Sequence, residues 1–285
     1  VAGAVLATLG MTALVFGTVN SAEAGWTSPI TVATLAAGAI LLTLLFLNEA
    51  RAEQPIMPLR LFRSRERSAY AARMLYLGAM IGFFYFTTQL LQGVMGFSAF
   101  QAGIAFFPMT IVNFAVAMLI PRLTPRFGNS AILSVGIAVT LAGMAWLSLV
   151  HPGSTYLTAI ALPMILIGAG QGLAFAPLTS AGISGVEAED AGAASGLVNT
   201  AHQLGSALGL GILVAVSAGA GASADDATTA LTDHVSTALT AGTALLAACL
   251  VIVLALIVPA TRTRSTTKQF EQEKGSRDVA LVDRG

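Results

Sequence analysis

Eight apolar runs, each close to the length of a bilayer crossing, succeed one another along this chain. They are Val1–Val19, Ile30–Leu47, Ala69–Gln92, Gln101–Pro121, Ser130–Val150, Tyr156–Leu178, Ala191–Ala218 and Val235–Val258. A hydrocarbon core of about 30 Å takes roughly 20 helical residues at about 1.5 Å of rise each. Lipid offers the backbone no hydrogen-bond partners, so such runs must satisfy themselves as helices. Composition points the same way. Only 10% of the 285 residues are charged, 55% are hydrophobic and mean hydropathy is +0.80. A soluble domain carries roughly 25% charged residues, so this chain has too little charge to coat a globule in water. The expectation is an all-α polytopic membrane protein with eight transmembrane helices.

Charge placement tests that count. Eight crossings put alternate connections on opposite faces, and all 14 basic residues then fall on one of them. Six lie in Asn48–Arg73 (Arg51, Arg60, Arg63, Arg65, Arg67, Arg73), two are Arg122 and Arg126, and six follow Pro259. The opposite connections, Asn20–Pro29, Gly93–Phe100, His151–Thr155 and Gly219–His234, hold no Lys or Arg but contain Glu23, Asp225, Asp226 and Asp233. Basic loops are retained on the cytoplasmic side. This predicts a multi-pass protein of the plasma (cell inner) membrane with both ends of the chain cytoplasmic. The arginine-rich loop over residues 48–68 divides a hairpin, 1–47, from six spans over 69–258. Residues 259–285 read as a polar cytoplasmic tail. The chain begins at Val1 inside an apolar run without a charged leader, which suggests a sequence starting partway through a larger protein.

Several chemistries are excluded. No GxSxG elbow, HExxH or phosphate-binding GxxxxGK[ST] occurs, and the three histidines fall in an outer loop (His151), a span (His202) and another outer loop (His234). No enzyme, metal site or cofactor is expected. Zero net charge gives no basic stripe for nucleic acid, and the single cysteine, Cys249, excludes an internal disulfide. No Asp, Glu, Lys or Arg lies deep in a span, Arg73 sitting at a cytoplasmic entrance. Proton relays usually leave an ionisable residue inside the membrane, so the carboxylates of a proton-driven device would lie outside this sequence.

Uncharged polar residues do enter the spans: Tyr85, Thr88, Gln89, Gln92, Asn113, Gln171, Asn199, His202 and Gln203. Amides in hydrocarbon need partners, which faces them to the bundle interior or to a water-filled cavity. They read either as a weakly polar substrate path or as helix-to-helix hydrogen bonds. Asn199, His202 and Ser206 share one helical face, and His202 could relay protons or serve as a plain hydrogen-bonding group. The pairs Gly78/Gly82, Gly168/Gly172, Gly192/Gly196 and Gly205/Gly209 are spaced for close helix approach. Pro108, Pro163 and Pro177 lie within spans as candidate kinks.

Three stretches carry a family resemblance. LLQGVMGFSAFQAG, Leu90–Gly103, is similar to the signature LQxVxGxSxxxAG. RLTPRFG, Arg122–Gly128, occupies the place of a cytoplasmic GxLxDRxGR loop, with Leu123, Arg126 and Gly128 matching. There Pro121 replaces the first glycine and Pro125 the aspartate, which speaks against a charge-pair lock. EDAGAASGLVNTAHQLGSALG, Glu189–Gly209, is close to DAGxASGxxNTxRQxGGxxG, with His202 where arginine is common and Ser206 in place of a glycine. On these residues the chain resembles the C-terminal part of the major facilitator superfamily, in its fourteen-span drug:proton antiporter branch (the EmrB/QacA type).

The resemblance implies that 1–47 is an inserted transmembrane hairpin and 69–258 the second six-helix bundle, built of inverted three-helix repeats. It implies a missing N-terminal six-helix bundle as partner, beside the lipid bilayer, protons and a small amphipathic substrate. The expected activity is proton-coupled multidrug efflux by alternating access. Alternatives are export of a metabolite, siderophore or amino acid, or a truncated membrane protein that binds a partner bundle and transports nothing. Substrate-pathway candidates are Tyr85, Gln89, Asn113, Gln171, Asn199 and His202. Arg122, Arg126 and Gly128 form the candidate cytoplasmic gating turn.

Overall fold

The computed structural model describes residues 2–49, 68–183 and 186–259. The arginine-rich loop beyond Asn48–Glu49 and the tail from residue 260 onward lie outside the described residues. Within them the chain is all helix and turn, with eight segments long and apolar enough to cross a membrane, one for each run read from the sequence.

The first two, α1 (Ala2–Ala24) and α2 (Pro29–Glu49), form an antiparallel hairpin. Gly25 supplies the positive φ (82°) that reverses the chain, and Pro29 opens α2, where a missing N–H costs nothing. The hairpin closes tightly because glycines meet leucines across it. A methyl group at Gly38 would lie 2.7 Å from Leu14 Cγ, and one at Gly10 2.8 Å from Leu42 Cδ2. Near the turn, Asn20 donates to Thr31 Oγ1 at 2.8 Å.

The remaining helices pack around α3 (Ser68–Gln89), which buries Tyr76, Phe83 and Phe86 completely and is flanked by α9 (Ala191–Ser217) and α10 (Ala227–Ile252). Further out, α7 (Asn129–Leu147) lies against α8 (Leu162–Ile183) and α10, and α5 (Phe107–Ala117) against α8. Lipid gives apolar helices no hydrophobic reason to associate, so close backbone approach has to supply the attraction. Glycine makes that possible at three interfaces. Gly78 of α3 meets Gly205 and Gly209 of α9, Gly168 and Gly172 of α8 meet the Met109 and Asn113 carbonyls of α5, and Gly136 of α7 meets Gly170 of α8. The fourth pair read from the sequence behaves differently: Gly192 and Gly196 face open space among the described residues. The hairpin joins the bundle through α1 and α9, where Thr18 sits on Gly211.

Three boundaries depart from the sequence reading. The fourth span is broken: α4 (Ala99–Ala105) ends at Phe106 and α5 starts there, with Pro108 in its first turn. Its polar end is also no simple turn, since α6 (Ile120–Phe127) carries the chain helically through Arg122 and Arg126. Only Gly128 turns it, with φ 75°. The last helix begins eight residues before the predicted Val235, because Asp226 caps it by accepting from Thr229 N at 2.9 Å and Thr229 Oγ1 at 2.8 Å. Those bonds hold the exposed Asp226 carboxyl below its ordinary range. His234 is therefore helical and not in a loop; its Nδ1 lies 2.8 Å from the Ser217 carbonyl, tying α10 to the end of α9.

Two sequence features acquire a local cause. In Leu90–Gly103 the helix widens into a π-turn over Leu90–Val94, Gly96 takes φ 69°, and Ser98 and Gln101 cap α4 reciprocally. That motif is a turn-and-restart device. Pro163 cannot donate and crowds the carbonyl four residues back, and a second π-turn, Leu157–Ala161, absorbs the conflict just before it.

Candidate functional site

Arg73 projects from the second turn of α3 into the bundle and is 5% exposed. Its Nη1 donates to Thr179 Oγ1 at 2.7 Å, and its Nη2 lies 3.3 Å from His202 Nδ1. A guanidinium has only donors, so Nδ1 accepts and the ring carries its proton on Nε2. The guanidinium carbon also stands 5.1 Å from the centre of the Phe175 ring, and Phe175 meets His202 edge-on at 6.4 Å. Helices α3, α8 and α9 thus converge on one cation.

What is missing matters as much. No carboxylate pairs with Arg73 among the described residues, and its Nε is buried without a hydrogen-bond partner. Burial of an ion costs several kcal/mol even after relaxation. A cation–π contact returns about 0.5–2 kcal/mol, and a net hydrogen bond to a charged group about 1.5–3 kcal/mol. The return is of the same order as the cost, and Nε adds a buried donor without an acceptor among the described residues.

One turn of α8 away, Asn113 of α5 donates to Gln171 of α8 at 2.9 Å. Each amide has a second polar group, so the pair leaves one NH2 and one carbonyl without a hydrogen-bond partner among the described residues. These two residues and Phe175 line a cavity of about 290 Å³ with Ala117, Gly172 and Ala176. Phe175, 40% exposed, is consequently a wall shared by the amide cavity and the arginine cluster.

Of the residues chosen from sequence, Asn113, Gln171 and His202 come together around Phe175. Asn199 does not: with Gln203, Thr200 and Thr12 it lines a separate groove of about 560 Å³ between α9 and the hairpin helix α1. Tyr85 is 44% exposed and packs edge-on against Phe86, while Gln89 is half-buried. No side-chain hydrogen bond joins either to the cluster among the described residues. Arg122, Arg126 and Gly128 are exposed, and α6 connects to the bundle through Thr124, whose hydroxyl lies 3.4 Å from Asn129 Oδ1, and through Asn129, which donates to Ser180 at 3.4 Å. Arg73, Phe175 and Thr179 were not among the sequence candidates. The sequence reading put Arg73 at a span entrance; the structure keeps it in the second turn of α3 and buries its side chain there. One signal was available, a lone base set five residues into an apolar run. Its partners lie 106 and 129 positions away, beyond the reach of any local pattern.

Comparison with known proteins gives three kinds of match. A family model described as the Major Facilitator Superfamily matches residues 1–210. The cephamycin export protein of Amycolatopsis lactamdurans is 39% identical over 228 residues, 79% of this chain and 47% of that protein. The puromycin resistance protein of Streptomyces alboniger is 33% identical over 76% of this chain and 44% of its own length. For the tetracenomycin C resistance and export protein of Streptomyces glaucescens the values are 33%, 75% and 40%. The chain therefore spans less than half the length of these relatives. Among solved structures, the nucleoside transporter NupG (D323A mutant) superposes with a TM-score of 0.55 at 15% identity, over 85% of this chain and 64% of that one.

Proposed function

Since the chain belongs to the major facilitator superfamily, we propose that it is the C-terminal portion of a fourteen-span efflux permease exchanging protons for amphipathic small molecules. In this reading α3 to α10 form the second transport bundle and α1–α2 the inserted hairpin. A companion six-helix bundle supplies the proton-binding carboxylates and the other wall of the cavity. The two bundles rock about a midplane site, opening it alternately to either side. The observation that carries the proposal is the gathering of Asn113, Gln171, Phe175, Arg73 and His202 from four helices around the Phe175 ring. Amides and a cation held there, beside a large apolar core, suit reversible contact with a solute better than they suit stability. The export and resistance functions named for its relatives support the same direction of transport.

The test uses the chain together with its six companion spans, in everted vesicles energised by a proton gradient. Dye movement should appear with the gradient and vanish with an uncoupler; gradient-independent movement, or none, would sink the antiport reading. Asn113→Ala and Gln171→Ala should each raise KM about 3- to 30-fold, the worth of one hydrogen bond at membrane depth. Unchanged KM and substrate range in both would remove the amides from the site.

Orientation has its own experiment. Ser21 is buried against the Thr18 carbonyl and makes a poor labelling position, whereas Thr27 and Arg126 are exposed. With a membrane-impermeant thiol reagent on intact cells, Thr27→Cys should label and Arg126→Cys only after lysis. Native Cys249 is buried and should stay silent. The opposite pattern would reverse the topology.

A further inference from the structure

We propose that Arg73, with Phe175 and the Asn113–Gln171 pair, is an anion-recognising subsite that takes amphipathic solutes bearing a carboxylate. The proposal rests on the exporter reading above and adds the chemical class of its cargo.

The argument begins with the unpaired cation. A guanidinium that is 5% exposed, with a buried and unpartnered Nε, is built to receive an acceptor that the described residues do not contain. Its two terminal nitrogens are held by Thr179 and His202, so the plane of the group is fixed before any ligand arrives. Planar, pre-oriented arginine is the side chain best matched to a carboxylate. Access is supplied by Phe175. The guanidinium carbon stands 5.1 Å from the centre of its ring, and the same residue lines the amide cavity. Displacing that one side chain would open the cavity toward the guanidinium. A ligand in the opened cavity would lay its apolar body against Phe175 and Ala176, meet the spare amide groups of Asn113 and Gln171, and present its anionic end to Arg73. A carboxylate belonging to the companion bundle could meet the same cation. The cavity favours a solute, because a permanent protein counter-ion would have no use for paired amides and an aromatic wall beside it.

Binding is measured by calorimetry on the purified chain with its companion spans, using naphthylacetate and its methyl ester as a matched pair. Transport of naphthylacetate and of a cationic dye is followed in proteoliposomes alongside. The wild-type protein should bind the acid more tightly than the ester. Arg73→Gln should weaken acid binding about 10- to 100-fold, the loss of a charge-assisted hydrogen bond, while leaving the ester unchanged. Arg73→Lys should keep part of the preference, and Phe175→Ala should weaken both ligands. Equal wild-type binding of acid and ester overturns the proposal. So does an equal loss of both in Arg73→Gln, the mark of a structural role. Recovery of Arg73→Gln transport on neutralising one companion carboxylate would assign the arginine to an inter-bundle ion pair and overturn it too. A protein that moves the cationic dye without acid preference keeps the exporter reading and loses this one. Arg73-dependent acid binding without any transport does the reverse.

Discussion

Gly209→Leu is expected to abolish the folded bundle, while Gly196→Leu, in the same helix, leaves it intact. Gly209 lies against the backbone of Gly78, and a methyl group on Gly78 would in turn stand 2.8 Å from the Gly205 carbonyl and 2.9 Å from Gly209 Cα. The obstacle is main chain on both sides, with no flexible side-chain tip to move aside. Overpacking alone costs about 1–3 kcal/mol where neighbours can shift. Here α3 and α9 would have to part, taking with them the helix that buries Tyr76, Phe83 and Phe86. In a bilayer, close contact is itself the source of helix attraction, so a forced gap has nothing to replace it. Gly196 meets no atom within 4 Å, and substitutions at such places fall within about 0.5 kcal/mol. Size-exclusion profiles in detergent, with melting temperatures for the peaks that survive, measure both. A monodisperse Gly209→Leu protein would show that the α3–α9 contact is dispensable.

Arg73→Met is expected to make the protein more stable and, on the proposed exporter reading, to cost it transport. The native guanidinium loses one cation–π contact, worth about 0.5–2 kcal/mol, and two hydrogen bonds. Thr179 is not orphaned by the change, because its hydroxyl already donates to the Phe175 carbonyl at 2.9 Å. His202 loses a donor but is only half-buried, so water can replace it. Against these losses stands the cost of holding an unpaired cation in the bundle. Replacing buried ionic groups with well-packed apolar ones is often neutral or gains about 1–4 kcal/mol, and a thermal scan should show a rise of several degrees. A lower melting temperature would mean that the contacts outweigh the burial cost, and that Arg73 is retained for structure.

The fold was largely legible because lipid is a simple solvent. Run length is a property of local sequence, and each of the eight apolar runs has a helix long and apolar enough to cross a membrane. Boundaries slipped where a local rule competed with hydropathy. The Asp226 cap starts α10 before its apolar stretch begins, and α6 stays helical through Pro125 although its arginines read as loop. The candidate site was half legible. An amide in an apolar run announces itself, which found Asn113, Gln171 and His202. It could not separate Asn199, which points toward the hairpin, from residues one turn along that face α8.

Sequence alone determined that this chain is a membrane helical bundle of eight crossings, because transfer of long apolar runs into lipid is a property of each run by itself. It also determined which glycine pairs had the spacing for close packing. Tertiary structure decided which of them pack: Gly78 and Gly209 touch, Gly192 and Gly196 do not. It decided too that Arg73 is interior, held by a threonine and a histidine more than 100 residues away. Those facts depend on how helices rotate about their own axes when they meet. That rotation is set by the sum of all contacts between them, so no single segment contains it.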